Sequence, residues 1–181
     1  MVASPYLLKS MGLPFSREIL YNNPTPEEQM WRAVIINAIE EAMILPSDRK
    51  SSLIKMNSHN WILSKCQDFK NVCDWANVNS TEIYRSYRTA CYRRIVVFKE
   101  KHVAWKKYDL IYKDMMKEPN TKLRLRIKRR ILVYRRSIID SKDTFLSFVL
   151  INPINSESLP KCSKTLPECG NSFPFSQNST I

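Results

Sequence analysis

The sequence predicts an all-α fold: an N-terminal helical unit with a helix-turn-helix, then a basic helical hairpin, then an irregular tail. Three observations carry that expectation. The 181 residues include two glycines, too few for the hairpin turns and phosphate-cradling loops that need left-handed backbone. Apolar residues recur at i, i+3 and i+4 over long stretches, the period of a helix with one side in a core. Cap-forming residues stand where those stretches begin. Hydrophobic residues at 44% and aromatics at 10% suit a globular chain with one core.

Residues 1–24 contain Pro5, Gly12, Pro14 and Pro24, and read as a flexible arm with a short turn near Arg17–Tyr21. A compact unit spans 25–90. Its first helix opens at Thr25-Pro26-Glu27-Glu28, with Thr25 as N-cap, Pro26 at the first helical position and Glu28 closing a capping box. The apolar stripe is Trp31, Val34, Ile35, Ala38, Ile39, Ala42 and Met43, and Pro46 ends it. Glu40 and Glu41 lie beside the polar face without a third group, so they read as solvated. Ser47 or Asp48 caps a weaker helix to about Met56, and a separate segment around Trp61 leads to Asp68, a second capping candidate.

Phe69–Arg88, FKNVCDWANVNSTEIYRSYR, reads as two short helices and a tight turn. Val72, Cys73 and Ala76 share one face, and Ile83 and Tyr87 repeat after a break. Asn77 suits the left-handed exit, Val78 an apolar plug, and Asn79 or Ser80 the next cap. Residues 72–84, VCDWANVNSTEIY, resemble the helix-turn-helix of TetR-type repressors, with Asn77 in place of the turn glycine and Cys73 in place of a small alanine. The order Trp31-x-x-Val34-Ile35-x-x-Ala38-Ile39-Glu40, then Trp61-Ile62, then Phe69-x-x-Val72-Cys73-x-x-Ala76 is similar to small helical proteins encoded in phages and prophages. That likeness covers about residues 26–88, with Ser58 where a small alanine is expected, and it implies no established chemistry.

From Tyr84 the helical pattern continues without an evident break to Pro119, and residues 91–143 form the hairpin. Ile95, Phe98, Trp105, Tyr108, Ile111, Tyr112 and Met115 make one stripe, with Asp109 and Lys113 spaced to pair. Asn120 or Thr121 caps a last helix to about Asp140, whose stripe is Leu123, Ile127, Ile131, Tyr134 and Ile138. Basic on its flanks and aliphatic on one side, that helix has the composition of a membrane-surface helix. It lacks Trp and Phe on the stripe, and the preceding helix offers a matching one, so packing is the expectation. Residues 144–151 are a short apolar run that docks or stays extended, and a Ser-, Pro- and Asn-rich disordered tail follows to 181.

Charge supplies the functional expectation. The net charge is +12, and residues 81–150 hold 19 Lys/Arg against 7 Asp/Glu, the whole excess, while 1–80 (8 against 8) and 151–181 (2 against 2) balance. Concentrated positive charge suits a polyanion, because each neutralised phosphate releases condensed counterions. The expected partner is DNA, with RNA and a homo-oligomer left open. Ser80, Thr81, Tyr84 and Arg85 would occupy the exposed face of the second motif helix, with Arg85 reaching a guanine edge or a phosphate and Tyr84 a phosphate. Arg88, Lys122, Arg124, Arg126, Lys128, Arg129, Arg130, Arg135 and Arg136 would supply sequence-independent phosphate contacts. The reading is a phage-type DNA-binding accessory or transcription regulator. The alternatives are a module docking an acidic protein, a packaging component, or a solvated basic face.

Enzyme chemistry has no motif here: no nucleophile elbow, zinc-protease helix or phosphate loop. No catalytic residue or cofactor is expected. Five cysteines, two of them Cys162 and Cys169, show neither the spacing nor the histidine partners of a zinc site, and their odd number does not suggest a disulfide framework. No run approaches the length of a membrane span and the N-terminus lacks a secretory pattern, so no membrane insertion and a cytoplasmic location are expected.

Overall fold

The computed structural model describes residues 4–20 and 23–154, and over them the chain is all-helical. In order, the helices are α1 Pro5–Met11, α2 Leu13–Leu20, α3 Pro26–Ala42, α4 Arg49–Ser64, α5 Gln67–Trp75, α6 Ser80–Tyr92, α7 Glu100–Lys117 and α8 Thr121–Asp140. No strand occurs among the described residues; Lys99 and Phe145 form an isolated antiparallel bridge.

The first 24 residues differ from the expected arm. Pro5 starts α1, Pro14 lies in the first turn of α2, and Gly12 at φ 90° separates the two. Proline at these positions opens helices instead of breaking them, since the missing N–H would have no helical partner. Leu7, Met11, Phe15 and Ile19 recur every four residues across the break, and all four are buried in the main core.

The capping box of α3 is formed: Thr25 Oγ1 accepts from the Glu28 N–H, and Glu28 accepts from the Thr25 N–H. The buried stripe is rotated from the expected one. Val34 is exposed, and Arg32 and Ile36 take buried places. Beyond Asp48, which caps through the Ser51 N–H, the two expected segments are one helix of 16 residues, α4. Its core face explains why the periodicity is faint, for Ser52, Lys55, Ser58 and His59 are buried beside Met56 and Ile62. Asp68 does not cap α5; it accepts from Trp61 Nε1 at 2.7 Å, and Cys66 holds the cap position.

Two helix ends use the same device. Val78 N–H bonds the Cys73 carbonyl and Asn77 N–H the Asp74 carbonyl, with Asn77 at φ 51°. Ile95 N–H bonds the Ala90 carbonyl and Arg94 N–H the Cys91 carbonyl, with Arg94 at φ 55°. Both are Schellman closures, each followed by an apolar residue folding back. The second stops α6 at Tyr92, where an unbroken helix is expected to Pro119. The β-branched run Ile95-Val96-Val97 then favours extended chain over helix.

α4 is the centre: α3 packs on one side and α7 on another, and α6 also touches it. A large core joins α1 to α6, while Trp105, Tyr108, Met115, Ile131 and Ile138 form a smaller one between α7 and α8. The α7–α8 pair is therefore the expected hairpin, docked through α7. Residues 144–154 lie against the main core: Leu146 N–H bonds the Phe98 carbonyl, and the Asn60 side chain holds both polar groups of Ile154. Cys162, Cys169 and the rest of the expected tail lie outside the described residues.

Candidate nucleic-acid interface

The α5–α6 turn has the local form expected of it. Asn77 is left-handed, Val78 is buried, and Asn79 Oδ1 accepts from the Thr81 and Glu82 N–H groups. On α6, Thr81 and Arg85 face solvent, while Ser80, Tyr84 and Arg88 are half-buried. Arg85, its side chain 69% exposed, pairs with Glu82 at 3.0 Å. Tyr84 has Lys65 Nζ 3.7 Å from its ring centre. Arg88 donates to the Tyr92 hydroxyl at 3.1 Å.

The setting of that helix is less cationic than its composition implies. α1 and α2 pack on it, and Glu18 accepts from the Asn79 N–H at 2.8 Å. Glu18, Asp74 and Ser80 line one shallow depression at the start of α6, and Glu82 stands in its first turn. These carboxylates complement the positive end of the helix dipole, so a phosphate approaching there meets like charge. Over residues 1–80 as a whole the exposed charge has the same sign. Of the 8 cationic residues in 1–80, Arg32 and Lys55 are buried, leaving 8 − 2 = 6 to face 8 acidic ones at the surface.

The positive side of the molecule is α8. Its sequence has eight Lys/Arg and one acid, Asp140, a balance of 8 − 1 = +7. Lys122, Arg124, Arg126, Lys128, Arg129, Arg130, Arg135 and Arg136 are all exposed. Among the described residues, no ion pair involves Lys122, Arg124, Arg126, Lys128, Arg129, Arg135 or Arg136. Asn120 sets the register by capping the Lys122 and Leu123 N–H groups, and Ile131 and Ile138 anchor the helix on α7. The cations are thus spread over the sides that α7 does not cover.

The expected residues therefore fall into two groups. α8 packs on α7, α7 on α4, and α4 meets α6; α6 and α8 share no extensive contact. A single cationic surface running from Ser80 to Arg136 is not built by direct packing. The charge balance finds the larger group from sequence. It misses the carboxylate rim of α6, because Glu18 reaches Asn79 across 61 positions.

The buried polar groups are structural. Arg32 Nε donates to the Ala76 carbonyl at 3.0 Å and its Nη1 to the Ile19 carbonyl at 2.9 Å, closing the ends of α5 and α2. Lys55 Nζ donates to the Ala42 carbonyl at the end of α3 and lies 4.6 Å from the Phe98 ring centre. Burial lowers the Lys55 pKa to about 8. His102 accepts from the Lys99 N–H at Nδ1, so its proton is on Nε2, which donates to the Pro46 carbonyl. Burial raises the thiols of Cys73 and Cys91, to about 12 and about 11, which keeps both protonated and unreactive. Among the described residues, no three His, Cys, Asp or Glu side chains gather as metal ligands, and no helix is long and apolar enough to cross a membrane. Compared with known protein families, curated proteins and solved structures, the chain finds no match.

Proposed function

We propose that the protein binds nucleic acid through α8, by sequence-independent contacts to phosphates. The observation that carries this reading is the set of seven exposed α8 cations without carboxylate partners. An unpaired guanidinium gives up no ion pair when it meets a phosphate, and its planar fork suits two phosphate oxygens. α6 enters as a secondary contact through Arg85 and Arg88. Arg85 must leave Glu82 to reach a base edge, and the acidic groups at the helix start favour phosphate contact along its side over entry tip-first. A phage-type accessory or packaging role needs no more than this. A sequence-reading regulator needs α6 in a groove, and the resemblance of residues 72–84 to a helix-turn-helix is what supports that finer reading.

The test is a mobility-shift series with random duplex DNA, single strands and structured RNA over a range of salt. Neutralising six to eight phosphates predicts a slope of log K against log salt of about −5 to −7. A flat salt response removes the reading. Preference for an acidic polypeptide over all three nucleic acids replaces it with a protein partner.

A further inference from the structure

α8 carries two apolar stripes, and packing uses one. Ile127, Ile131, Tyr134 and Ile138 lie against α7. Leu125, Leu132 and Ile139 are spaced by seven residues, and remain 57%, 50% and 55% exposed. At about 100° per residue, a step of seven returns to nearly the same direction, so these three form a row roughly 130° around the helix from the packed stripe. The row is about 21 Å long at the helical rise. Lys128 and Arg135 flank it on one side, Arg129 and Arg136 on the other. Leu123 and Val133 of α8 are also exposed but lie off this line; the three residues on it share one spacing and one direction, which scattered apolar surface does not.

What flanks the row excludes two protein occupants, and a third candidate, nucleic acid, leaves the row itself unused. A second copy, parallel or antiparallel, would set these arginines against their equivalents. A partner helix would need apolar residues midway along each interval to complete a knobs-into-holes seam, and those places hold Lys128, Arg129, Arg135 and Arg136. Nucleic acid phosphates match the cations but gain nothing from three aliphatic side chains. A plane of anionic headgroups over an acyl layer matches both. Aliphatic tips enter the headgroup–acyl boundary, and the long cationic stems extend outward to phosphates, including that of Arg124 further round the helix.

We propose that the outer face of α8 docks flat on an anionic lipid surface, with Leu125, Leu132 and Ile139 as the inserted row and Lys128, Arg129, Arg135 and Arg136 on headgroup phosphates. This is association in the plane of the interface, compatible with the absence of a spanning helix among the described residues. It goes beyond the nucleic-acid reading and does not depend on it.

The experiment is co-sedimentation of the full chain with vesicles of phosphatidylcholine alone or mixed with phosphatidylglycerol, alongside duplex DNA binding. The parent is expected to sediment with the mixed vesicles and not with phosphatidylcholine alone. The variant L125N/L132N/I139N, whose melting curve confirms that it folds, should lose about tenfold or more in vesicle partition. Its duplex affinity should stay within about twofold of the parent. Failure of the parent to bind mixed vesicles overturns the proposal, as does undiminished vesicle binding by the folded triple variant. An equal loss toward vesicles and duplex also overturns it, by assigning the row to nucleic acid. Vesicle binding without duplex binding in the parent supports the lipid site and ends the nucleic-acid reading alone.

Discussion

His59 Nδ1 lies 2.7 Å from the Tyr87 hydroxyl, joining α4 to α6 in the middle of the core. Burial first, and the neighbouring Cys91 second, raise the Tyr87 pKa. His59 Nε2 is a buried nitrogen without a hydrogen-bond partner among the described residues. Burial first, and the Lys55 charge second, push the His59 pKa down to about 3.

Acid should therefore loosen the fold well above the carboxylate range. Unfolded histidine takes a proton near its ordinary 6.5, and folded His59 resists protonation to about 3. Its contribution is complete above pH 6.5 and is lost as pH falls from there toward 3, by up to about 1.4 kcal/mol per pH unit. His102, also lowered by burial, adds in the same direction. The urea midpoint should be lower at pH 5 than at pH 7, and His59→Gln should flatten the difference. An equal difference in that variant would place the acid sensitivity elsewhere.

Tyr87→Phe should cost about 1–3 kcal/mol, because it leaves His59 Nδ1 without a partner in a site that excludes water. Equilibrium unfolding measures it. A loss of a few tenths would mean that His59 turns to another partner.

Arg32→Lys should be nearly as damaging as Arg32→Met, in the range of about 2–4 kcal/mol. One guanidinium spans the Ala76 and Ile19 carbonyls, and an ammonium on a flexible stem cannot hold that fork. Thermal and urea unfolding of both variants test this, and full rescue by lysine would contradict it.

Asn77 tests the turn. Asn77→Gly removes the left-handed penalty and should be neutral or stabilising by under about 1 kcal/mol, whereas Asn77→Val should cost about 1–2 kcal/mol. Similar stability for the valine variant would show that the closure tolerates another backbone path.

The two cationic groups should separate in binding assays. Changing Lys128, Arg129, Arg135 and Arg136 to Gln should flatten the salt slope by about 3 to 4 on every nucleic acid tested. Arg85→Ala should change the slope by less than about 1 and relax any sequence preference. The opposite ranking would make α6 the principal contact.

Much of this architecture is written locally. The Thr25 capping box, the Asn120 cap and the left-handed Asn77 each depend on residues within five positions, and such short-range bonding is readable from neighbours alone. So is the α7–α8 hairpin, because each helix has an apolar stripe long enough to declare itself. Cationic excess is likewise a matter of counting, and it identifies α8 before any coordinate is known.

Distant partners decide the rest. α4 is obscure as a sequence because its inward side chains are polar, and Lys55, Ser58 and His59 find their partners in Ala42, Glu41 and Tyr87 of other helices. The N-terminal segment looks too interrupted to be structured until α6 offers a surface for its four-residue repeat. Glu18 reaches the start of α6 only through folding, and the second stripe of α8 matters only once α7 has taken the first. Periodicity says that a helix has an apolar side; which sides end in contact is a property of the whole packed chain, since burial is shared between surfaces and not owned by one.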